Sequence, residues 1–341
     1  MAPSAELATA ASCEARRPAI GFLGVGWIGR HRLQSIVQAD AVDVVGVADA
    51  DLVAASEIAA PLGRAAAVPS LESLLELKPE GVVIATPSAF HAAQTIAALR
   101  SGAAVFCQKP LARNAAETAR VVQTARGADR LLAVDMSYRF LRGAGILKDL
   151  IAAGEIGEIF AVDAVFHNAY GPDKNWYYDA DLAGGGCVID LGIHLVDLAL
   201  WVLKFPAVLN VSSRLYSRGK PLAKRKHSLE DYAVARLDLD NGATINLACS
   251  WRLPAGKDAV IQATFFGVKG GLTLRNVAGS FYDFRTEQLV GTSRRILDEP
   301  PDSWGGRAAL AWVEHLRRRS GYRSDIETSE KVAEVIDAIY N

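Results

Sequence analysis

A glycine-rich turn between an apolar strand and a helix constrains the fold of this chain more than any other feature. The turn is Gly24-Val25-Gly26-Trp27-Ile28-Gly29, after the apolar run 18–23 and before a helical pattern that extends to Val37. In this context the first glycine permits the tight turn, the second lets a pyrophosphate approach, and the third allows close packing of helix and strand. The motif therefore predicts a dinucleotide site formed by these residues.

A spaced acidic residue supports this prediction and bears on the choice of cofactor. The next apolar strand, 42–48, ends at Asp49, 20 residues after the last glycine of the motif. This is the spacing of a carboxylate that binds a ribose diol. Asp51 adds a second negative charge and no arginine follows, so a 2′-phosphate would be repelled and NAD is favoured over NADP. Arg30 and Arg32, at the start of the helix, are the residues that could reverse this preference.

Strands and helices alternate up to residue 134, which predicts an α/β domain with a parallel sheet wound on both faces. The expected elements are strands 81–85, 103–107 and 131–134 and helices 90–100 and 115–125. Such sheets bind ligands at the carboxyl ends of their strands. We therefore expect a nucleotide-binding Rossmann domain over residues 18–138.

Three groups of residues follow these strands and should face the ligand. They are Thr86-Pro87 with His91 a helical step later, Gln108-Lys109-Pro110, and Ser137-Tyr138-Arg139. We expect the residues of the first group, together with Gln108 and Lys109, to contact the cofactor. Lys109 is held between a buried strand and a proline that restricts it to an extended backbone. The alternative is a solvated loop lysine.

The second half of the chain changes to a period of two. Apolar residues alternate in 231–240 and 243–251, and Asn241-Gly242 between them predicts a hairpin turn. Further strands are expected at 259–266, 272–275 and 281–284, and helices at 306–319 and 327–340. We expect a second α/β domain, residues 139–341, with a mixed or antiparallel sheet covered by helices on one face. Its open face predicts a homo-oligomer, a dimer or tetramer.

A mostly apolar helix from Val188 to Leu203 carries three ionisable residues, Asp190, His194 and Asp197. Their spacing of i, i+4 and i+7 places them on one stripe. Uncompensated charge is costly in an apolar interior, so the stripe should face a polar cleft or a partner. Three glycines at 184–186 would let backbone or ligand approach the helix start. The pattern is typical of a proton-transfer site and equally of a structural histidine held by Asp190.

Aromatic and amide side chains near this helix are candidates for a substrate wall. They are Tyr138, Arg139, His167, Asn168, Trp176 and Tyr177. Aromatic faces and amide groups suit sugar rings, although each residue could equally pack under a loop.

Bulk properties exclude several functions. The chain has 341 residues, half of them hydrophobic, and a net charge of −1, which favours two domains and gives no overall attraction to nucleic acid. The four cysteines lack C-x-x-C spacing, so we expect neither a disulfide framework nor a metal site. This cysteine usage favours a cytoplasmic location. No uncharged apolar run reaches membrane-spanning length. Residues 1–17 are predicted to be a disordered tail. The basic run 218–227 is predicted to be a solvated loop or, alternatively, a contact for a phosphate or an acidic sugar.

These motifs together resemble the glucose-fructose oxidoreductase / inositol dehydrogenase / rhizopine-catabolism (Gfo/Idh/MocA) family, over almost the whole chain after the tail. The motifs are Gly24-x-Gly26-x-x-Gly29, Thr86-Pro87-x-x-x-His91, Gly102-x-x-Val105-x-Cys107-Gln108-Lys109-Pro110, Arg139-Phe140, Gly154-x-Ile156-Gly157 and Gly184-Gly185-Gly186-x-x-x-Asp190-x-Gly192-x-His194-x-x-Asp197. The family's commonest motif has glutamate where this chain has Gln108, and Lys109 is kept. The resemblance implies a nicotinamide between a Rossmann domain and a second domain whose open sheet often builds oligomers.

The resemblance also implies an NAD(P)-dependent dehydrogenase acting on a secondary alcohol of a sugar, inositol or related polyol. We expect His194 to accept the hydroxyl proton, Asp190 to orient His194, and Lys109 to polarise the reacting oxygen; the reverse assignment of Lys109 and His194 stays open. Two other functions are carried as alternatives: a redox-neutral NAD-dependent glycosidase-type enzyme, and a non-catalytic NAD or sugar sensor on the same fold. A sensor has no need of the proton-transfer set.

Overall fold

The apolar runs of the N-terminal half form a parallel sheet in the computed structural model, which describes residues 16–222 and 229–341. The strands are β1 (Ala19–Leu23), β2 (Asp43–Ala48), β3 (Ala66–Val68), β4 (Gly81–Ile84), β5 (Ala104–Cys107) and β6 (Leu132–Val134). The helices between them are α1 (Trp27–Gln38), α2 (Leu52–Ala59), α3 (Leu71–Glu76), α4 (Ser88–Arg100) and α5 (Ala115–Ala128). The six strands lie in the order β3-β2-β1-β4-β5-β6, so the predicted doubly wound sheet is confirmed. The order reverses between β1 and β4, where such sheets open a crevice.

The second half of the chain forms a larger sheet. Its strands are β7 (Ile159–Asn168), β8 (Val208–Ser217), β9 (Lys220–Pro221), β10 (Tyr232–Leu239), β11 (Thr244–Ser250), β12 (Ala259–Gly267), β13 (Gly270–Asn276), β14 (Phe284–Val290) and β15 (Ser293–Asp298). The helices are α6 (Arg142–Ala152), α7 (Ala180–Ala183), α8 (Ile193–Val202), α9 (Arg307–Arg317) and α10 (Thr328–Tyr340). The nine strands lie in the order β15-β14-β13-β12-β7-β11-β10-β8-β9. Among the described strands of this sheet only β7 and β11 pair in parallel, so the expected mixed sheet is confirmed.

Local sequence rules located some of these strands and missed others. The hairpin at Asn241-Gly242 joins β10 to β11, with Gly242 at a positive φ of 83°. The strand expected at 281–284 instead begins at Phe284 and runs to Val290. The strands β8 and β15 were not predicted, because much of their surface is exposed and no alternation of apolar and polar residues marks a buried face.

Helices cover one face of the larger sheet. Buried residues of α6, α8 and α10 share a core with strands β7 and β10–β13. The opposite face carries polar side chains on three adjacent strands, Asp163, Asn246 and Arg236, which lie in register. Asn246 Nδ2 donates to Asp163 Oδ1 over 3.0 Å. Homo-oligomer formation through this face stays a prediction.

Helix α9 crosses back to the N-terminal sheet. Trp312 is 1% exposed and packs in one core with Phe22, Ile36 and Phe106. A Cβ added at Gly81, on β4, would lie 2.7 Å from the Trp312 ring, so the strand and the helix are in close contact. The C-terminal half therefore supplies part of the Rossmann core, while the boundary at 138/139 stays a prediction.

Two sequence predictions fall partly outside the described residues. They are the tail 1–17, of which residues 1–15 are not described, and the basic run 218–227, of which residues 223–227 are not described. At the end of the predicted tail, Arg17 contacts the folded domain: Nη1 donates to Asp40 Oδ1 over 2.9 Å and Nε to Asp43 Oδ1 over 3.0 Å. In the described part of the chain, the run Ala180–Val202 is apolar and long enough to cross a membrane by length and composition alone, but 83% of its most apolar window is buried inside this fold.

Candidate active site

A cleft of about 750 Å³ lies between the carboxyl edge of the parallel sheet and the second domain. It brings together most of the residues singled out from the sequence. The predicted residues that line it are Gly24, Gly26, Trp27, Ile28, Asp49, Thr86, Pro87, His91, Gln108, Lys109, Tyr138, Trp176, Tyr177 and His194. Residues of both domains therefore converge on one ligand-sized space.

The glycine turn has the geometry that a dinucleotide requires. Gly24 has a φ of +87°, and a Cβ there would lie 2.7 Å from the Ala85 carbonyl. A Cβ at Gly29 would lie 2.1 Å from the Gly24 oxygen, so this glycine allows α1 to pack against the turn. At Gly26 nothing lies within 4 Å of the Cβ position, so its backbone is open to a pyrophosphate. The three glycines of this turn therefore fit a dinucleotide cofactor.

The Asp49 carboxylate is fixed at the end of β2. Its Oδ2 accepts from the Val25 backbone N–H over 2.8 Å and its Oδ1 from that of Asp51 over 2.9 Å. The Asp51 side chain has a different role, because it caps α2 by accepting from the N–H groups of Val53 and Ala54.

The two arginines that could reverse the cofactor preference are engaged by protein groups. Arg30 Nε donates to the Val25 carbonyl over 2.8 Å, and Arg30 does not line the cleft. Arg32 Nε donates to Asp135 Oδ2 over 2.5 Å in a buried ion pair. Neither side chain is placed as a free cation beside Asp49.

His91 ties together two loops at the edge of the sheet. Its Nδ1 lies 2.7 Å from the Pro110 carbonyl oxygen and its Nε2 lies 2.7 Å from that of Thr86. Burial lowers its pKa, and the two carbonyl contacts oppose this shift. Because Pro110 follows Lys109, His91 helps to fix the loop that carries the lysine.

Lys109 forms an ion pair across the two domains. Its Nζ donates to the Asp190 carbonyl oxygen over 2.7 Å and to Asp190 Oδ1 over 2.8 Å. Trp251 Nε1 donates to Asp190 Oδ2 over 3.0 Å, so both carboxylate oxygens are occupied. The expectation that Asp190 orients His194 is wrong, since the carboxylate holds Lys109 instead.

A wide helical turn precedes α8. Residues Val188–Gly192 form this π-helical turn, which carries Asp190. Asp190 contacts Lys109 and Trp251, whereas Asp197, on α8, pairs with Arg139, so the residues of the expected stripe have separate partners.

Buried protein groups occupy the space that the three glycines leave at the start of this turn. A Cβ at Gly186 would lie 2.0 Å from the Glu230 carbonyl oxygen, and one at Gly185 would lie 2.1 Å from Tyr340 Oη. Glu230 Oε1 accepts from the backbone N–H groups of Gly186 and Val188 and from the Tyr340 hydroxyl. Burial raises the pKa of Glu230. The glycines thus admit protein groups that anchor the helix.

His194 lies in the wall of the cleft, on the second domain. Its ring stacks on Tyr138 with centroids 4.8 Å apart. Burial, followed by the positive charges of Lys109 and Arg32, lowers its pKa well below 6.5. Its Nδ1 is buried and has no hydrogen-bond partner among the described residues. The imidazole is therefore neutral at neutral pH and free to accept a proton.

Three of the candidate wall residues do not line the cleft: Arg139, His167 and Asn168. Arg139 makes a bidentate pair with Asp197, at 2.8 and 2.5 Å, and the Asp197 side chain is only 2% exposed. His167 Nδ1 lies 2.8 Å from Ser250 Oγ, and Asn168 Oδ1 accepts from the Tyr170 backbone N–H. These contacts hold the second domain together.

Sequence reasoning missed other residues of the site. Asp135 follows β6 directly, so the rule that identified Gln108 and Lys109 at the strand ends also applies to it. Trp304 and Tyr282 line the cleft from loops with no recognisable motif, and Trp304 Nε1 donates to the Tyr282 carbonyl over 2.8 Å. Trp251 ends a predicted strand, but its contact with Asp190 joins residues 61 positions apart.

Fold and site together define a nicotinamide-dependent oxidoreductase, with a Rossmann domain and a second sheet domain that closes the cleft. Residues 19–136 match the model of the oxidoreductase family with an NAD-binding Rossmann fold, and residues 146–273 match the GFO/IDH/MocA C-terminal domain. The chain belongs to the GFO/IDH/MocA family.

Individual relatives agree with this assignment. D-glucoside 3-dehydrogenase of Escherichia coli (strain K12) is 28% identical over 313 residues, covering 88% of this chain and 87% of that protein. D-xylose 1-dehydrogenase (NADP(+)) 2 of Haloferax volcanii is 30% identical over 326 residues, covering 94% and 95%. The structure of GenD2 from gentamicin A biosynthesis, in complex with NAD, superposes with a TM-score of 0.80 at 23% identity, covering 95% of this chain and 93% of GenD2. This last likeness concerns the fold.

The Arg139–Asp197 pair predicts an effect on stability and not on cofactor binding. In Arg139→Ala the buried Asp197 carboxylate loses its partner, which should lower the free energy of unfolding by about 3–5 kcal/mol. Denaturant unfolding measures this loss, and NADH titration should give an unchanged dissociation constant. The double variant Arg139→Met/Asp197→Leu should recover most of the stability. A stable Arg139→Ala protein with weakened substrate binding would instead place Arg139 in the substrate wall.

Proposed function

We propose that the protein is an NAD-dependent dehydrogenase that interconverts a secondary alcohol and a ketone on an uncharged sugar, glycoside or inositol. One observation carries the proposal: Lys109 from the Rossmann domain and His194 from the second domain line the same cleft. The relatives named above act, by their names, on a glucoside and on xylose.

The chain's own residues divide the work of binding. The turn at Gly24 and Gly26 would hold the pyrophosphate, and Asp49 the adenosine ribose. Strand order places β5 and β6 on the other side of the crevice from β2, so Gln108 and Lys109 would face the nicotinamide half. When bound, oxidised nicotinamide accepts a hydride from the substrate carbon.

Lys109 and His194 would handle the hydroxyl group of the substrate. An ammonium group has three N–H donors, and two of those on Lys109 are taken by Asp190. The third is available to the substrate oxygen, where it stabilises developing negative charge. His194, neutral because its pKa is lowered, accepts the hydroxyl proton as the carbon becomes a carbonyl. Asp190 holds the Lys109 ammonium group in place.

The charges of the cleft favour an uncharged substrate. Among the described lining residues, each lysine and arginine has a carboxylate partner: Lys109 with Asp190, Arg32 with Asp135, and Lys174 with Asp173. The remaining wall is rich in aromatic rings, and those of Trp176 and Tyr177 stack 3.7 Å apart. Such rings suit the apolar faces of a sugar.

A substrate panel tests the proposal. Neutral sugars, glycosides and inositols are each offered with NAD and with NADP, beside a phosphorylated or carboxylated counterpart of the same ring, and nicotinamide reduction is followed by absorbance. We expect reduction with a neutral member and at least about tenfold lower kcat/KM with its anionic counterpart, the effect of leaving a charge unpaired. Glycoside cleavage without net reduction would show a redox-neutral enzyme, and binding without turnover a sensor.

The role of His194 predicts a pH profile. The pKa of His194 is lowered below 6.5, so its basic form persists as the pH falls and is lost only below that value. For alcohol oxidation, kcat/KM should therefore decrease only on the acid side of 6.5. In His194→Asn this acid limb should vanish and kcat should fall by about 10²- to 10⁴-fold, while NADH still binds. In Lys109→Met, kcat should fall on the same scale, but the decrease of kcat/KM at acid pH should remain. If the acid limb instead vanished in Lys109→Met and remained in His194→Asn, Lys109 would be the base.

Asp49 should set the preference for NAD. In Asp49→Ser the preference for NAD over NADP should shrink by roughly tenfold, because one carboxylate no longer repels the 2′-phosphate. Dissociation constants of NADH and NADPH, from fluorescence titration, measure the ratio. Asp51→Ser is the matched control: serine can keep the cap of α2, so the ratio should stay as in the wild type. Equal shifts in both variants would contradict the role of Asp49.

A further inference from the structure

A buried ion pair beside Lys109 has no part in the proposed proton and hydride transfers. Asp135, after β6, has a fully buried side chain, and the Arg32 side chain on α1 is 5% exposed. Arg32 Nε donates to Asp135 Oδ2 over 2.5 Å, and Gln108 Nε2 donates to the same oxygen. All three residues line the cleft.

These hydrogen bonds connect three separate elements of the Rossmann domain. Gln108 is the residue before Lys109 and follows β5, Asp135 follows β6, and Arg32 lies on α1. Helix α1 begins at Trp27, inside the glycine turn that fits a pyrophosphate. The network therefore joins the turn that would hold the cofactor to the loop that carries Lys109.

In the described part of the chain, the Asp135 carboxylate has these two donors. Its Oδ1 is buried and has no hydrogen-bond partner among the described residues. Among the described residues, Arg32 and Gln108 therefore donate all the hydrogen bonds that this buried carboxylate accepts. Loss of one donor cannot be covered by another, and a buried charge without its donors is costly.

We propose that Gln108 is a positioning residue, which holds the Lys109 loop against α1 through Asp135 and Arg32 and must be an uncharged donor to do so. A carboxylate at position 108 would place two buried negative charges beside one arginine and remove the N–H donor. The loop would then move away from Asp135, and Lys109 with it. This proposal rests on the function proposed for Lys109.

Reciprocal substitution tests the proposal. In Gln108→Glu we expect kcat/KM and NADH affinity each to fall by about 30-fold, the effect of losing a hydrogen bond to a charged group. The double variant Gln108→Glu/Asp135→Asn again has one carboxylate and one amide donor, with their positions exchanged. Its kcat/KM and NADH affinity should each be at least about tenfold higher than those of Gln108→Glu. NADH binding is read by energy transfer from Trp27, Trp176 and Trp304, which line the cleft. Gln123→Glu, on the exposed side of α5, is the matched control.

Two further measurements keep the outcome decisive. Thermal unfolding shows whether each variant folds. If Gln108→Glu does not fold, Gln108→Met serves in its place, because it removes the donor without adding a charge. Wild-type NADH affinity in a folded Gln108→Glu or Gln108→Met protein overturns the proposal. So does a double variant that recovers the melting temperature but neither affinity nor turnover, since that pattern describes a purely structural contact. If no substrate is turned over by the wild type, the proposed function fails, while the NADH measurements still decide the role of Gln108.

Discussion

The ion pair between Lys109 and Asp190 is the interaction on which the rest of the site depends. It joins the loop after β5 of the Rossmann sheet to the helical turn before α8 in the second domain, and both side chains are largely shielded from water, at 16% and 13% exposure. A charge in such a place is costly to leave alone, so each residue requires the other. Trp251 fills the remaining carboxylate oxygen. The two walls of the cleft are thereby held at a fixed distance, and the third N–H of Lys109 is left for a ligand.

Features set by local backbone rules could be predicted from the sequence. The glycine turn, the acid after β2 and the residues after β4 and β5 all line the cleft, because the conformation of each depends on a few neighbouring residues. The hairpin at Asn241-Gly242 follows the same logic. Roles that depend on distant contacts could not be predicted. Arg139 was expected in the substrate wall, but its partner Asp197 lies 58 positions away and is buried.

The helix that follows the glycine triplet shows a second limit. Counting residues at 3.6 per turn places Asp190 and His194 on one stripe and suggests that they act together, whereas Asp190, in the π-helical turn at Val188–Gly192, pairs with Lys109. The cause lies outside the helix: Glu230 and Tyr340 contact its start, and Trp251 and Lys109 hold Asp190. The residue types were therefore informative about chemistry, while the pairing of those residues was decided by tertiary contacts.

The return of α9 to the first sheet has a consequence for biosynthesis. When a ribosome has completed residue 138, the strands of the Rossmann sheet exist, but Trp312 and its neighbours, which complete one face of that core, have not been made. The nascent domain must wait, with an apolar surface uncovered, until well over a hundred further residues have emerged. This order of synthesis leaves the growing chain open to chaperone binding until α9 has emerged.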